Sequence, residues 1–202
     1  MTELEIRTGW DAELEIRAGG DGRTVTGLVA PWDIEITASG PGGRGVIREV
    51  LRQGALNKSV AERGEKIPLT FYHPDPSNPF ADRGIIGRAI KWEDSAAGQR
   101  ASFRVANTQK GDEALEMIRE GLIADFSIGF KGVQDRTKVV QERGKAPLYE
   151  RYEVNLDHVA LVPNGAYPNA LVEQVRAEFD PDNEELAPGL AIARKKLAVI
   201  FL

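Results

Sequence analysis

The 202-residue chain contains no cysteine. That excludes disulfides, thiol catalysis and thiolate-bound metals, and it fits a reducing cytoplasm. Histidine is nearly absent too: His73 and His158 are the only two. Any chemistry needing an imidazole near neutral pH must use one or both of them, and no ligand cluster surrounds either, so neither a zinc site nor a cofactor is expected. Positive charge is in deficit, with 26 Lys and Arg against 31 Asp and Glu and a net charge of −5. The basic residues are scattered among acids without an aromatic-plus-basic stripe, which argues against nucleic acid as a partner. Long apolar runs are missing: the terminal "LAVIFL" is far too short to span a bilayer, and the opening "MTELEIRTG" carries two acids where a signal peptide needs an apolar stretch. The expectation is a soluble, unsecreted protein with no membrane partner.

What is present is ordinary for a globular chain: 42% hydrophobic and 28% charged residues, enough for one substantial core. A short repeat, "ELEIR" at Glu3–Arg7 and Glu13–Arg17, alternates polar and apolar residues as a half-exposed strand does, and the two copies could pair as a hairpin. Gly22–Asp33 reads as a strand ending in a Pro turn, and Thr37–Gly45 as a glycine-rich loop. Amphipathic spacing of Leu51, Ala55, Leu56 and Val60 predicts a helix over about Gly54–Arg63, stopped by Gly64. Lys66–His73, Ile85–Trp92, Arg100–Val105 and Asp125–Val133 read as strands. Between the last two lies a helix, Asp112–Glu120, with Leu115, Ile118 and Leu122 on one face and Gly121 at its end. A charged hairpin with a long apolar second arm follows, through "NLDHVALVP". Many strands, two short helices and no βαβ rhythm with a Gly-rich phosphate loop predict a mainly β (α+β) protein. The expected form is a closed antiparallel β-barrel decorated with a few short helices. We place the barrel domain at residues 1–179, with 1–18 as its N-terminal strand or hairpin, and an acidic linker with an apolar, basic arm at 180–202.

One segment is chemically odd. "GLIADFSIGF", Gly121–Phe130, sets a single hydroxyl, Ser127, between phenylalanines in an apolar strand. A small serine bonded to backbone is one use of such a position; a nucleophile held on a rigid strand is another. A serine hydroxyl needs a base to take its proton, and the base needs a partner to fix its tautomer. His73, where a strand meets the Pro-rich turn "HPDPSNP", and His158 could supply both. Strict alternation would put Leu156, His158 and Ala160 on one face and Asp157, Val159 and Leu161 on the other, directing Asp157 away from His158. Asp75 and Asp157 are the alternative carboxylate partners, and spacing excludes neither.

Taken in order, "GLVAPWD", "EVLRQGAL", "FYHPDP", Ile86–Gly87, "DFSIGF" and "LDHVALVPNGAYPNA" resemble the prohead (capsid maturation) proteases of tailed bacteriophages, distant relatives of the herpesvirus assemblins. The resemblance runs from about Leu14 to Val172. It implies a serine endopeptidase with Ser127 as nucleophile, His73 as general base and His158 as third member, with Asp157 as the alternative. At the third position the chain looks assemblin-like, since phage members often carry an acid there. The backbone N–H groups of Gly165 and Ala166 are the implied oxyanion donors. The resemblance further implies the phage major capsid protein and scaffold protein as substrates, self-cleavage, a homodimer as one possible state, and action inside the prohead in the host cytoplasm. The competing expectation is a non-catalytic capsid-assembly barrel with a vestigial site.

Overall fold

The computed structural model describes residues 5–7, 15–16, 21–41, 44–74 and 84–163. The strands form two sheets. The larger is assembled from β1 (Glu5–Arg7), β2 (Glu15–Ile16), β3 (Thr24–Pro31), β6 (Pro68–Phe71), β7 (Ile85–Asp94), β8 (Gly98–Val105), β9 (Asp125–Gly132) and β12 (Val154–Val162). Its order is β1-β9-β12-β6-β7-β8-β3-β2. The smaller sheet is β10-β11-β5-β4, from β4 (Glu35–Ser39), β5 (Val46–Leu51), β10 (Thr137–Val140) and β11 (Leu148–Arg151). Two helices interrupt the strands: α1 (Asn57–Arg63), which Gly64 ends, and α2 (Gln109–Arg119). The Thr108 side chain caps α2 by accepting the Gly111 N–H, and Gly121 follows with φ 69°, as the sequence pattern requires.

The mainly β character with two short helices agrees with the sequence reading; the closed antiparallel barrel does not. Among the described residues the large sheet curls but its ends, β1 and β2, share no hydrogen bonds, so it is an open half-barrel backed by a second sheet. Nor is the pairing purely antiparallel, because β12 runs parallel to β6 and β11 parallel to β5. The two "ELEIR" copies do not form a hairpin: β1 pairs with β9 and β2 with β3, at opposite edges of the sheet. Sequence similarity between two strands carries no information about which edge each will cover. The long apolar arm after β10 is likewise two strands, β11 and β12, one in each sheet. Leu122 is 59% exposed, because Gly121 turns the chain off the helix axis before Leu122 can join the face of Leu115 and Ile118. Residues 180–202 lie outside the described residues.

The core packs against one face of the large sheet. Phe126, Ile128 and Phe130 of β9 meet Leu156, Val159 and Leu161 of β12, with Leu69, Ile86 and Phe103 from the neighbouring strands and Leu115 and Ile118 from α2. Each such side chain contributes roughly 1.5–3 kcal/mol by leaving water. Since successive residues of a strand face opposite ways, burying Phe126, Ile128 and Phe130 obliges Ser127 and Gly129 to face the other side. Among the described residues no helix is long and apolar enough to cross a membrane.

Candidate active site

β9 and β12 pair antiparallel, with Phe126 opposite Leu161, Ser127 opposite Ala160, Ile128 opposite Val159, Gly129 opposite His158 and Phe130 opposite Leu156. Between the last two pairs β12 carries one residue more than β9, a bulge at Asp157. The bulge decides the site. With strict alternation His158 would share the face of Leu156 and enter the core. The extra residue reverses the phase, so Leu156 stays with Phe130 in the core while His158 joins Ala160 on the face of Ser127. The expectation that Leu156 and His158 share a face is therefore corrected.

Helix α1 holds the bulge in place. Ser59 and Arg63 are four residues apart, hence neighbours on one side of the helix, and both bond the β12 backbone. Ser59 Oγ donates to the Val154 carbonyl at 2.8 Å and accepts the Leu156 N–H at 2.9 Å. Arg63 donates to the carbonyls of Leu156 at 2.6 Å and Asp157 at 3.2 Å. Carbonyls that the bulge removes from regular pairing thus find donors, as buried backbone groups must.

His73 arrives from the other side of β12. β6 ends at Phe71, and Tyr72 takes a left-handed φ of 64° while its N–H bonds the Leu161 carbonyl at 3.1 Å. For a non-glycine residue that conformation costs about 1–2 kcal/mol, and such strain clusters where function demands a particular chain direction. The outcome is His73 standing over Ser127, with Nε2 2.6 Å from Oγ. His73 Nδ1 lies 2.8 Å from His158 Nε2, and His158 Nδ1 lies 3.0 Å from Asp157 Oδ2. The imidazole rings meet edge to face, their centroids 5.0 Å apart. Ser127 and His158 are buried.

Burial, and secondarily the neighbouring His158, lower the His73 pKa from 6.5 to about 4, since charge on the ring would be desolvated and face a second imidazole. His73 is therefore neutral at physiological pH, and its Nε2 can accept a proton.

Gly129 completes the arrangement. A Cβ there would stand 2.2 Å from His158 Cε1 and 2.7 Å from both ring nitrogens. The His158 ring thus lies flat against the backbone of β9, which only a residue without a side chain permits.

Ser127, His73 and His158, singled out by type and context, converge; Asp157 sits one step further out, against His158. Asp75, Gly165 and Ala166 lie outside the described residues. The sequence reading missed Ser59, Arg63 and Gly129. Of these only Gly129, two residues after the serine, carried a local signal, a glycine in a strand marking close approach. Among the described residues no group of three His, Cys, Asp or Glu side chains could hold a metal. Trp32 is buried and donates to Asp94, and Trp92 donates to the Gly64 carbonyl, both packing with the core.

Comparison with known proteins gives a consistent result. The family model described as Caudovirus prohead serine protease matches residues 12–185. Among solved structures, that of the bacteriophage T4 capsid assembly protease, gp21, is similar with a TM-score of 0.54 and 13% identity, covering 79% of this chain and 97% of that one. At that identity the likeness speaks to the fold. No curated protein matches.

Proposed function

The chain belongs to the Caudovirus prohead serine protease family and is a serine protease of capsid assembly; from that premise we propose that Ser127, His73 and His158 are its catalytic triad. One observation carries the reading: a continuous path of 2.6 and 2.8 Å contacts links Ser127 Oγ through His73 to His158, in a chain with only these two histidines.

The chemistry follows from the atoms. Ser127 Oγ attacks the scissile carbonyl carbon and forms the C–O bond as its proton passes to His73 Nε2. His73 then returns that proton to the leaving amine as the C–N bond breaks, leaving an acyl-enzyme. Water, deprotonated by the same nitrogen, then attacks the acyl carbon; the bond from that carbon to Ser127 Oγ breaks, His73 returns the proton to Oγ, and the acid leaves. Throughout, His73 Nδ1–H donates to His158 Nε2, which orients the base and stabilises the transient imidazolium. A neutral imidazole does this less well than a carboxylate, which suits an enzyme that acts once in a closed shell. The backbone N–H groups of Gly165 and Ala166 are the proposed oxyanion donors. The proposed substrates are the scaffold protein and the scaffolding arm of the major capsid protein, cleaved inside the prohead.

Co-expression with the capsid and scaffold proteins tests this. Wild type should yield cleaved products and Ser127→Ala none. Identical uncleaved patterns from a folded wild type and from Ser127→Ala would overturn the triad and favour a non-catalytic assembly role. His73→Ala should lower turnover by up to about six orders of magnitude, as loss of a general-base histidine does, and His158→Ala by less.

A further inference from the structure

The triad leaves one contact unused. Building on the three-residue reading above, we infer that Asp157 is a positioning residue: its carboxylate holds His158 in the tautomer that His73 requires, so the site is a chain of four groups.

Proton direction along the chain sets each tautomer. For Ser127 to donate to His73, Nε2 of His73 must be bare and its proton must sit on Nδ1. That proton points at His158 Nε2, 2.8 Å away, which must then be bare as well. The His158 proton is left on Nδ1, where Asp157 Oδ2 waits at 3.0 Å. A carboxylate can only accept there, so it selects this tautomer and disfavours the reverse, in which His158 Nε2–H would confront His73 Nδ1–H. Every bond in the chain then runs one way, from Ser127 to Asp157.

The backbone supports this role. Asp157 is the extra residue of the bulge, and that irregularity is what allows adjacent residues 157 and 158 to meet side chain to side chain. Regular alternation would send them to opposite faces. Arg63 bonds the carbonyls on both sides of the bulge, and Ser59 bonds the strand just before it, so α1 holds the position from which Asp157 reaches Nδ1. The Asp157 side chain is 33% exposed while His158 is 1% exposed: the outer end of the chain touches solvent, Ser127 and His158 are buried, and His73 is half-buried. Among the described residues, the His158 ring nitrogens meet His73 from the segment after β6 and Asp157 from its own strand, while the Arg63 guanidinium from α1 bonds the Leu156 and Asp157 carbonyls beside it.

Two measurements on the full chain test the inference. The first is acylation of Ser127 by a p-nitrophenyl ester probe, which expels p-nitrophenolate, comparing Asp157→Ala, His158→Ala and the double variant. Asp157→Ala should lower the limiting acylation rate roughly 10- to 100-fold, the scale on which metal-bound histidines respond to loss of their outer hydrogen bond, with little change in probe affinity. In the His158→Ala background the same substitution should cost nothing further, because Asp157 acts through His158. An equal loss in both backgrounds, or none in either, overturns the inference while leaving the triad standing. Wild-type acylation by His158→Ala would instead sink the triad itself. The second measurement needs no activity: with only two histidines, ring ¹⁵N spectra resolve both tautomers directly. Wild type should show His158 protonated at Nδ1, and Asp157→Ala should show a mixture. Identical His158 signals in the two proteins would refute the role of Asp157 even if turnover fell.

Discussion

Replacing Gly129 by alanine adds one methyl group beneath the His158 ring, and the structure says what that methyl would do. Its carbon would stand 2.2 Å from His158 Cε1, whereas carbon atoms in ordinary contact are about 3.5 Å apart. Roughly 1.3 Å must therefore open between β9 and the ring. His158 is 1% exposed, so it cannot swing into solvent, and the sheet cannot widen without loosening the Gly129–His158 pairing. Overpacking of this kind costs about 1–3 kcal/mol, which for a chain of this size lowers the melting temperature by some 2–12 °C. Movement of the ring by that distance would also stretch the 2.8 Å contact to His73 beyond hydrogen-bonding range. An error of about 1 Å in a catalytic constellation costs on the order of 100-fold in rate. The assay pairs thermal unfolding with p-nitrophenyl ester acylation of Ser127, for Gly129→Ala alone and together with His158→Ala. The three atoms nearest the added carbon all belong to His158, so removing that ring should abolish the stability penalty. In that background alanine should be neutral or slightly favourable in the strand, while acylation stays slow. A stability loss of the same size with and without the His158 ring would refute the steric reasoning, and an unimpaired acylation rate in Gly129→Ala would refute the link from ring position to catalysis.

The low pKa of His73 has consequences for both rate and stability. The acid limb of the acylation profile should lie near pH 4, where His73 becomes protonated, and a limb at 6.5 would contradict its buried setting. Between pH 6.5 and 4 the unfolded chain holds a proton on this residue that the folded chain lacks, so the contribution of His73 to stability is complete above 6.5 and falls with pH by about 1.4 kcal/mol per unit, some 3 kcal/mol in all. Urea midpoints of wild type and His73→Ala should therefore converge on acidification through this window, and parallel curves would count against it. In the smaller sheet, Arg151 and Glu49 form a buried ion pair at 2.8 Å; Arg151→Ala should destabilise the fold by about 3–5 kcal/mol because it leaves a buried carboxylate behind, and a loss below 1 kcal/mol in denaturant titration would show the pair to be dispensable.

Much of the site was legible before any coordinates. β9 announces its two faces, since Phe126, Ile128 and Phe130 alternate with Ser127 and Gly129 and the large apolar residues must go inward. The scarcity of histidine reduced the search for a base to two residues, and the ordered motifs around His73 and His158 named both. Legibility ended where pairing between distant strands takes over. The Asp157 bulge is not written in the alternation of β12, because it exists only relative to the register of β9 and is maintained by Ser59 and Arg63, nearly a hundred residues upstream. The left-handed turn at Tyr72 has the same origin: a tyrosine does not call for it, but the parallel pairing of β6 with β12 ends there. Barrel closure and the fate of the "ELEIR" copies also depended on which edges meet.

By itself, then, the sequence determined which side chains could do chemistry and which face of β9 had to be buried, because composition and alternation are local properties of the chain. Only the tertiary structure decided that His158 faces Ser127 and that Asp157 touches His158. A shift of one residue in strand register turns every following side chain to the other face, and register is set by the partner strand and the helix that clamps it.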